Sequence, residues 1–571
     1  MEELRAKYPD SITLLSDISS IYHQANNVDE ALNCLTKGLS INSNLFEFYS
    51  GIVLCLSKLN DRHYPKKVAQ HLLRNHPKNA QAWDLLGKVY NDLRNSLKYE
   101  YCARKAADMN SNNAAYLLKL GNVLSERNQM REARAYLEKG VRLSESSLGY
   151  FANYSNMLFV ILHDHQCSPQ EILSEHQKYG HKLSAWAKNK TVERPVSVND
   201  NPRLRIGFVS GDFRDHPVSN FIYPVLSSID KTRFDVIGYN VSPSNDRHTQ
   251  LYAALSSEWN DVKSLSHIEL AEKIAADGID ILIDLSGHTA YNRLPVFGLK
   301  PAPVQMSWIG YPGTTGVKEM DYYLIDSNFA APGVLDSHFT EKLAYLPAAK
   351  QFEPADYNID INTLPALKNG YITFATFNRP QKITAAVLDA WARILTQLPD
   401  ARLLFASMSD EEMIEKYMLE FESRGVRREQ IIARLKCGFG PYLHMHGEVD
   451  IILDTFPYTG GTTTNHASWM GIPSLTLEGD SVVSRQAGAA MKFLGLEEFV
   501  ASSADEYVAK AVALNEQLEH LNNVRLSLRE RILEREKRVS HRAFYFEKVL
   551  EQAWSLHKQG LPAQAIVLAD D

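Results

Sequence analysis

Cysteine is scarce in this 571-residue chain: Cys34, Cys55, Cys102, Cys167 and Cys437 lie far apart and form no CxxC pair. That spacing excludes a zinc ribbon or a disulfide scaffold and fits reduced, partly buried thiols in a reducing compartment. Positive charge is not in excess either. The 61 Lys and Arg face 68 Asp and Glu, a formal charge of −7, which argues against a general nucleic-acid binder. No apolar run is long enough to span a bilayer. The opening MEELRAKYPD is charged and lacks the apolar core of a signal peptide. Absent as well are a Gly-Lys-Ser/Thr phosphate loop and a GxGxxG fingerprint. What remains is a multidomain cytoplasmic globular chain.

The first 150 residues repeat. Ser19, Val53, Gly87 and Gly121 stand 34 apart, as do Tyr22, Leu56, Tyr90 and Leu124. Leu35, Ala69, Ala103 and Leu137 keep that register, with Gly38, Leu72, Ala106 and Gly140. Small residues in two columns and bulky ones in another fit closely packed helix pairs, the period and pattern of tetratricopeptide repeats. About four repeats fill residues 1–150. Such an array offers a concave docking surface; an unrelated bundle or a dimerisation module stays open. Residues 151–200 read as a helical linker region, with SPQEILSEHQKYGHKL a capped amphipathic helix and KNKTVERPVSVNDNPR a polar connector.

At Leu204 the pattern changes to short apolar strands alternating with helices, the mark of parallel α/β units. One series runs from LRIGFVSGDF to MDYYLIDS and a second from GYITFATFN to FVAS. They predict two Rossmann-like domains, 201–365 and 366–545, with a cleft between them and a C-terminal helix and tail over 546–571. The helix in HRAFYFEKVLEQAWSLHKQG is expected to cross back to the first α/β domain. Ligands of parallel sheets sit at the carboxyl ends of strands, and the polar loops here all follow strands.

In LDTFPYTGGTTTNHASWMGIP a strand, a Gly-rich turn and a helix follow one another. Gly460 and Gly461 let backbone approach a ligand, and Thr462, Thr463 and Thr464 can cap the helix. Its unpaired N–H groups and dipole suit phosphate, although a plain capped helix fits the same letters. TFATFNRPQKIT sets Asn378, Arg379 and Lys382 between a strand and a helix opened by Thr384, again suited to a diphosphate. In GDFRDHPVSNF, His216 is a candidate base or hydrogen-bond donor, or a capping residue. Loops LSGHTAYNR and GYPGTTG add His288, Asn292, Arg293, Pro312, Gly313 and Thr314 to the rim. No DxD-like carboxylate pair ends a strand beside these loops, so cations and helix dipoles, with no metal, are expected to neutralise a leaving diphosphate.

Taken in order, RIGFVSGDFRDHPVSNF, DILIDLSGHTAYNRL, PAPVQMSWIGYPGTTG, TFATFNRPQKIT and LDTFPYTGGTTTNHASWMGIPSLTLEGDSVVSRQAGAA resemble the O-GlcNAc transferase / SPINDLY family of protein glycosyltransferases. The resemblance covers nearly the whole chain. It implies a GT-B fold behind the repeat array and an inverting, metal-independent transfer of GlcNAc from UDP-GlcNAc to Ser/Thr of proteins. It places Lys382, Thr462 and Thr463 at the donor diphosphate, His216 near sugar and acceptor, and Pro312, Gly313 and Thr314 facing the transferred sugar. Lys436 and Tyr442 fall in the segment for the uracil edge. Three positions depart from the animal enzymes: Gly461 replaces a His before the threonines, His466 an acidic residue at the ribose, and Arg379 a Gln near the diphosphate. UDP-glucose to Asn, GDP-fucose to Ser/Thr, or a catalytically weak repeat scaffold therefore stay open. Expected partners are a nucleotide sugar and a protein or peptide acceptor held by repeats and cleft, with a homodimer open.

Overall fold

The computed structural model describes residues 7–58, 64–194, 203–346, 359–538 and 543–568; residues 195–202 of the polar connector lie outside them. The chain forms two compact units, Met1–Ser146 with Ser409–Lys416, and Ser147–Met408 with Tyr417–Asp571.

The first unit is helical. Helices Ile12–Gln24, Phe46–Lys58, Ala80–Asp92 and Ala114–Glu126 start 34 residues apart, and each is followed by a partner: Val28–Ile41, Tyr64–Asn75, Ser96–Met109 and Met130–Leu143. The turns repeat too. Asn26, Arg94 and Asn128 occupy one column with φ of 60°, 52° and 60°, the left-handed region that reverses the chain between helices. Asn27, Asn79, Asn95 and Asn113 then cap the next helices through their side chains. The small-residue columns are contact points: a Cβ on Gly140 would sit 2.7 Å from Leu118.

The second unit holds two wholly parallel sheets. The first contains β1 (Leu204–Ser210), β2 (Phe234–Asn240), β3 (Glu258–Asp261), β4 (Ile281–Asp284), β5 (Val304–Trp308), β6 (Tyr322–Asp326), β7 (Lys342–Leu346) and β14 (Ile566–Val567), in the order β14-β7-β6-β5-β4-β1-β2-β3. The second contains β8 (Thr373–Thr376), β9 (Arg402–Met408), β10 (Ile431–Leu435), β11 (Ile451–Leu453), β12 (Ser474–Leu477) and β13 (Val500–Ala501), in the order β10-β9-β8-β11-β12-β13. The helix Phe544–Lys558 returns to the first sheet, burying Phe546, Val549, Leu550 and Ala553 among Ile206, Phe208, Met306 and Trp308.

Strand order fixes where a ligand goes. β1 has β2 on one side and β4 on the other; β8 has β9 on one side and β11 on the other. At such reversals the connecting helices leave on opposite faces, and the loops at the carboxyl ends open a crevice. The loops after β1 and β4 carry His216 and His288. Those after β8 and β11 carry Asn378 to Lys382 and Gly460 to Thr464.

Residues 150–187, expected as a connecting region, do more than connect. Helices Tyr150–Ile161 and Pro169–Ala187 pack into the second unit. The predicted cap of the latter is present, with Ser168 and Glu171 forming a reciprocal box. His176 Nε2 pairs with the Tyr311 hydroxyl at 2.8 Å, and Gly180 lies so close to the Gly316 carbonyl that any side chain there would collide.

Candidate functional site

Asp454, one residue beyond β11, organises the pocket. Its Oδ1 accepts from the Gly460 N–H at 2.8 Å and from Asn378 Nδ2 at 2.9 Å, and its Oδ2 accepts from the Thr476 hydroxyl at 2.8 Å. One buried carboxylate thereby ties the loop after β8, the turn after β11 and strand β12. Burial raises its pKa, with these hydrogen bonds and Lys382 pulling the other way. Gly460 must be glycine, since a Cβ there would come within 2.9 Å of Thr463 Oγ1 and 3.1 Å of Asp454 Oδ1.

The threonines do not cap the helix. Helix Thr462–Trp469 has Gly461 as its N-cap and no side-chain cap bond; Thr462, Thr463 and Thr464 occupy its first turn. The Thr463 hydroxyl donates to Asn378 Oδ1 at 3.0 Å. A cap without a side chain leaves the first N–H groups free to meet an anion.

Lys382 ends the short turn Pro380–Lys382. Its Nζ donates to the Thr459 carbonyl at 2.7 Å and lies 4.1 Å from the centre of the Tyr458 ring. Desolvation by the surrounding protein lowers its pKa to about 7; Asp454 opposes that shift and Arg379 adds to it. Arg379 itself is exposed, a cation at the edge of the pocket.

His216 faces the same charges from the first sheet. Burial lowers its pKa to about 4, helped by Arg214 and Arg379. Its Nδ1 accepts from the Val218 N–H at 3.4 Å, which leaves the ring proton on Nε2. Arg379, on the loop after β8, is thus among the charges felt by His216, on the loop after β1.

Other predicted residues are placed differently. Thr314 is buried and its hydroxyl donates to Glu341 Oε2 at 2.6 Å, while its neighbours Pro312 and Gly313 keep surface. His288 is not on the rim: it is buried, donating through Nε2 to the Thr315 carbonyl at 2.8 Å and sharing a hydrogen bond with Ser155 at 2.9 Å. Asn292 donates to the Thr289 carbonyl within its own loop, and Arg293 donates to the Val262 and Lys263 carbonyls and so ties its loop to the segment after β3. Tyr442 and His466 do meet, sharing a hydrogen bond at 3.1 Å within an aromatic group that includes Phe377 and Phe439. Burial drives the His466 pKa to about 3, so the residue at the expected ribose position is a neutral imidazole. Lys436 is exposed, and its backbone N–H bonds the Met408 carbonyl.

Three contributors escaped sequence reasoning. Asp454 was legible only as the end of an apolar strand. Tyr458 looked like a turn residue. His163, from the region read as a linker, lies with its ring 4.5 Å from that of Tyr458 and donates through Nδ1 to the Phe159 carbonyl at 3.0 Å. Burial holds it neutral, with a pKa of about 4. A histidine so far from the sheets in sequence gave no signal.

The profile described as Glycosyl transferase family 41 matches residues 143–355 and 348–541. The chain belongs to that family. Tetratricopeptide-repeat profiles match residues 12–45 and 113–153. Among relatives of family 41, a tomato (Solanum lycopersicum) protein named as a probable UDP-N-acetylglucosamine–peptide N-acetylglucosaminyltransferase SPINDLY is 32% identical over 391 residues, 66% of this chain and 41% of that protein. The Arabidopsis thaliana protein of the same name is 34% identical over 358 residues, 61% of this chain and 38% of its own length. The chain thus spans less than half the length of these plant relatives. A solved structure, a Thermobaculum terrenum O-GlcNAc transferase mutant, superposes with a TM-score of 0.77 at 31% identity, covering 90% of this chain and 96% of that one. It supports the GT-B arrangement of the two sheets. Among the described residues no helix is long and apolar enough to cross a membrane.

Proposed function

We propose that the protein is an inverting, metal-independent glycosyltransferase of the cytoplasm that moves GlcNAc from UDP-GlcNAc to Ser/Thr hydroxyls of proteins. The observation that carries this reading is the convergence of Lys382, Arg379 and the uncapped helix at Thr462 on the strand reversal of the second sheet. The names of the plant relatives and of the solved bacterial structure support the donor and the acceptor class. In this reading the acceptor hydroxyl attacks the anomeric carbon from the face opposite the diphosphate, its proton is released, and UDP departs. Lys382, Arg379 and the helix N–H groups neutralise the diphosphate as its bond to the sugar breaks. His216, neutral with its proton on Nε2, donates a hydrogen bond that orients sugar or acceptor. The repeats are assigned the acceptor protein.

Lys382→Ala should abolish UDP release in the presence of an acceptor peptide. Near-normal turnover would end the assignment. A second nucleotide, the GDP of GDP-fucose, is kept as the alternative because the nucleotide pocket departs from the animal pattern at His466, a buried neutral imidazole at the expected ribose position. Thermal shifts with UDP, GDP and their sugars separate these, and stabilisation by GDP alone would move the assignment to GDP-fucose. Binding of no nucleotide at all would leave a repeat scaffold.

A further inference from the structure

In the loop after β4, Tyr291 has a φ of 61°. That is the left-handed region, where Cβ crowds the following carbonyl and a bulky side chain is an outlier. Elsewhere in the chain such a φ comes with a structural return. Asn26, Arg94 and Asn128 make one repeated turn between helices. Ile309, with a φ of 65°, packs against the core of the first sheet. Lys300, with a φ of 51°, donates to Asp321 and to the Glu319 carbonyl. Ser407 lies in the bulge that β9 forms against β10. Tyr291 has no such return: it is 53% exposed, and among the described residues its side chain has no hydrogen bond, ion pair or ring contact.

The strained backbone is held from behind. A Cβ on Gly211, the first residue after β1, would stand 2.6 Å from Tyr291 Cβ and 3.2 Å from the Ala290 carbonyl oxygen. The β4 loop therefore lies directly on the β1 loop. The Gly211 N–H donates to Ser286 Oγ at 3.3 Å, and the Thr289 hydroxyl to the Ser286 carbonyl at 2.7 Å, which joins the two loops. The residue after Gly211 is Asp212, whose carboxylate lies 3.6 Å from Nδ1 of His216. An exposed aromatic ring is thus fixed on the loop next to the one that carries His216, at the carboxyl ends of β1 and β4.

Backbone strain with no return to the fold gathers at functional sites. The diphosphate is assigned to the second sheet, by Lys382 and the turn after β11, and Tyr291 stands on the first. A ring half open to solvent suits the partner that arrives from solution. It has few torsions to lose and offers an apolar face with a hydroxyl at its tip, which fits an extended polypeptide. We propose that Tyr291 is an acceptor-binding residue: its ring packs against the polypeptide that presents a Ser/Thr hydroxyl beside His216. The proposal rests on the protein-glycosyltransferase reading above.

The test is transfer by the full chain to a pool of Ser- and Thr-containing peptides, from UDP-GlcNAc or from whichever nucleotide sugar the wild type binds. UDP affinity is measured beside it by calorimetry. Tyr291→Ala should raise KM for the peptides about tenfold, the scale of truncating a contact aromatic, with donor KM and UDP affinity unchanged. Tyr291→Gly should give the same rise together with a higher urea midpoint than wild type, because glycine adopts the left-handed state without strain. A gain in stability paired with a loss of acceptor affinity is not what a merely structural residue produces. Unchanged peptide KM in both variants overturns the inference alone, as does a glycine variant less stable than wild type. Weakened donor binding with unchanged peptide KM would move the ring to the donor and also overturn it. A wild type that binds UDP but glycosylates no peptide overturns the Ser/Thr transfer reading itself.

Discussion

Lys382 is held close to its own titration point, so the charge of the pocket follows pH. A diphosphate favours the ammonium form. Below pH 7 that form is already present and affinity should be flat. Above pH 7 binding must take up a proton, and affinity should fall by up to tenfold per pH unit until the raised pKa of the complex is reached. Titrations of UDP from pH 6 to 9 give this slope directly. Lys382→Arg, charged throughout, should flatten it; an unchanged slope would assign the proton to another group. Asp454 makes a different prediction. Asp454→Ala strips acceptors from Gly460, Asn378 and Thr476, each loss costing about 1–3 kcal/mol. Urea denaturation should show a loss of about 3 kcal/mol or more, with nucleotide binding gone. Residue types carried Lys382 and the Gly460–Thr464 turn into view, because phosphate chemistry calls for cations and bare backbone after a strand. They could not give orientation. His288 follows a strand just as His216 does, yet one is buried against Thr315 and the other faces the cleft, because neighbours far off in sequence decide which way a loop side chain turns.

At the scale of elements, the helix pairs were readable from their period, since the first helix of each pair starts 34 residues after that of the pair before. The helices from Tyr150 to Ala187 were not, because their partners lie in loops more than a hundred residues away. Their buried faces meet Tyr311, His288 and Gly316, and the loop carrying Tyr311 and Gly316 is pinned from its other side by Glu341. That carboxylate accepts from the Thr314 hydroxyl and the Thr315 N–H at 2.6 and 2.7 Å. Glu341→Ala leaves these donors buried and unpaired and should lower stability by about 2–4 kcal/mol. Glu341→Gln retains one acceptor, and the hydroxyls can rotate toward it, so it should keep most of the stability. Paired chemical denaturation of the two variants checks this; equal losses would show that charge, rather than acceptor geometry, holds the loop.

Across the whole molecule, the helical unit ends at Ser146 while the pattern changes to strands only at Leu204, so the helices between them belong to the second unit. The strand order of the sheets was not legible, because apolar runs say that a strand is buried and not which neighbours it has. Yet that order sets the crevice, by placing the loops after β1 and β8 at reversals. Because the pocket is built within the second unit, a chain beginning at Ser147 should bind UDP with the affinity of the full chain and lose turnover only on protein acceptors. Calorimetry beside a glycosylation assay separates the two effects; loss of nucleotide binding would make the repeats structural.

Strand β14 lies on the outer edge of the first sheet against β7, and the helix before it covers that sheet's core. The half of the enzyme begun first is therefore finished last. While a ribosome is still making the second sheet, β7 has an open hydrogen-bonding edge and the apolar floor under Phe546 has no cover, a surface that invites association with other chains. Growing chains of this protein should thus depend on chaperones longest for the first sheet, although it emerges before the second.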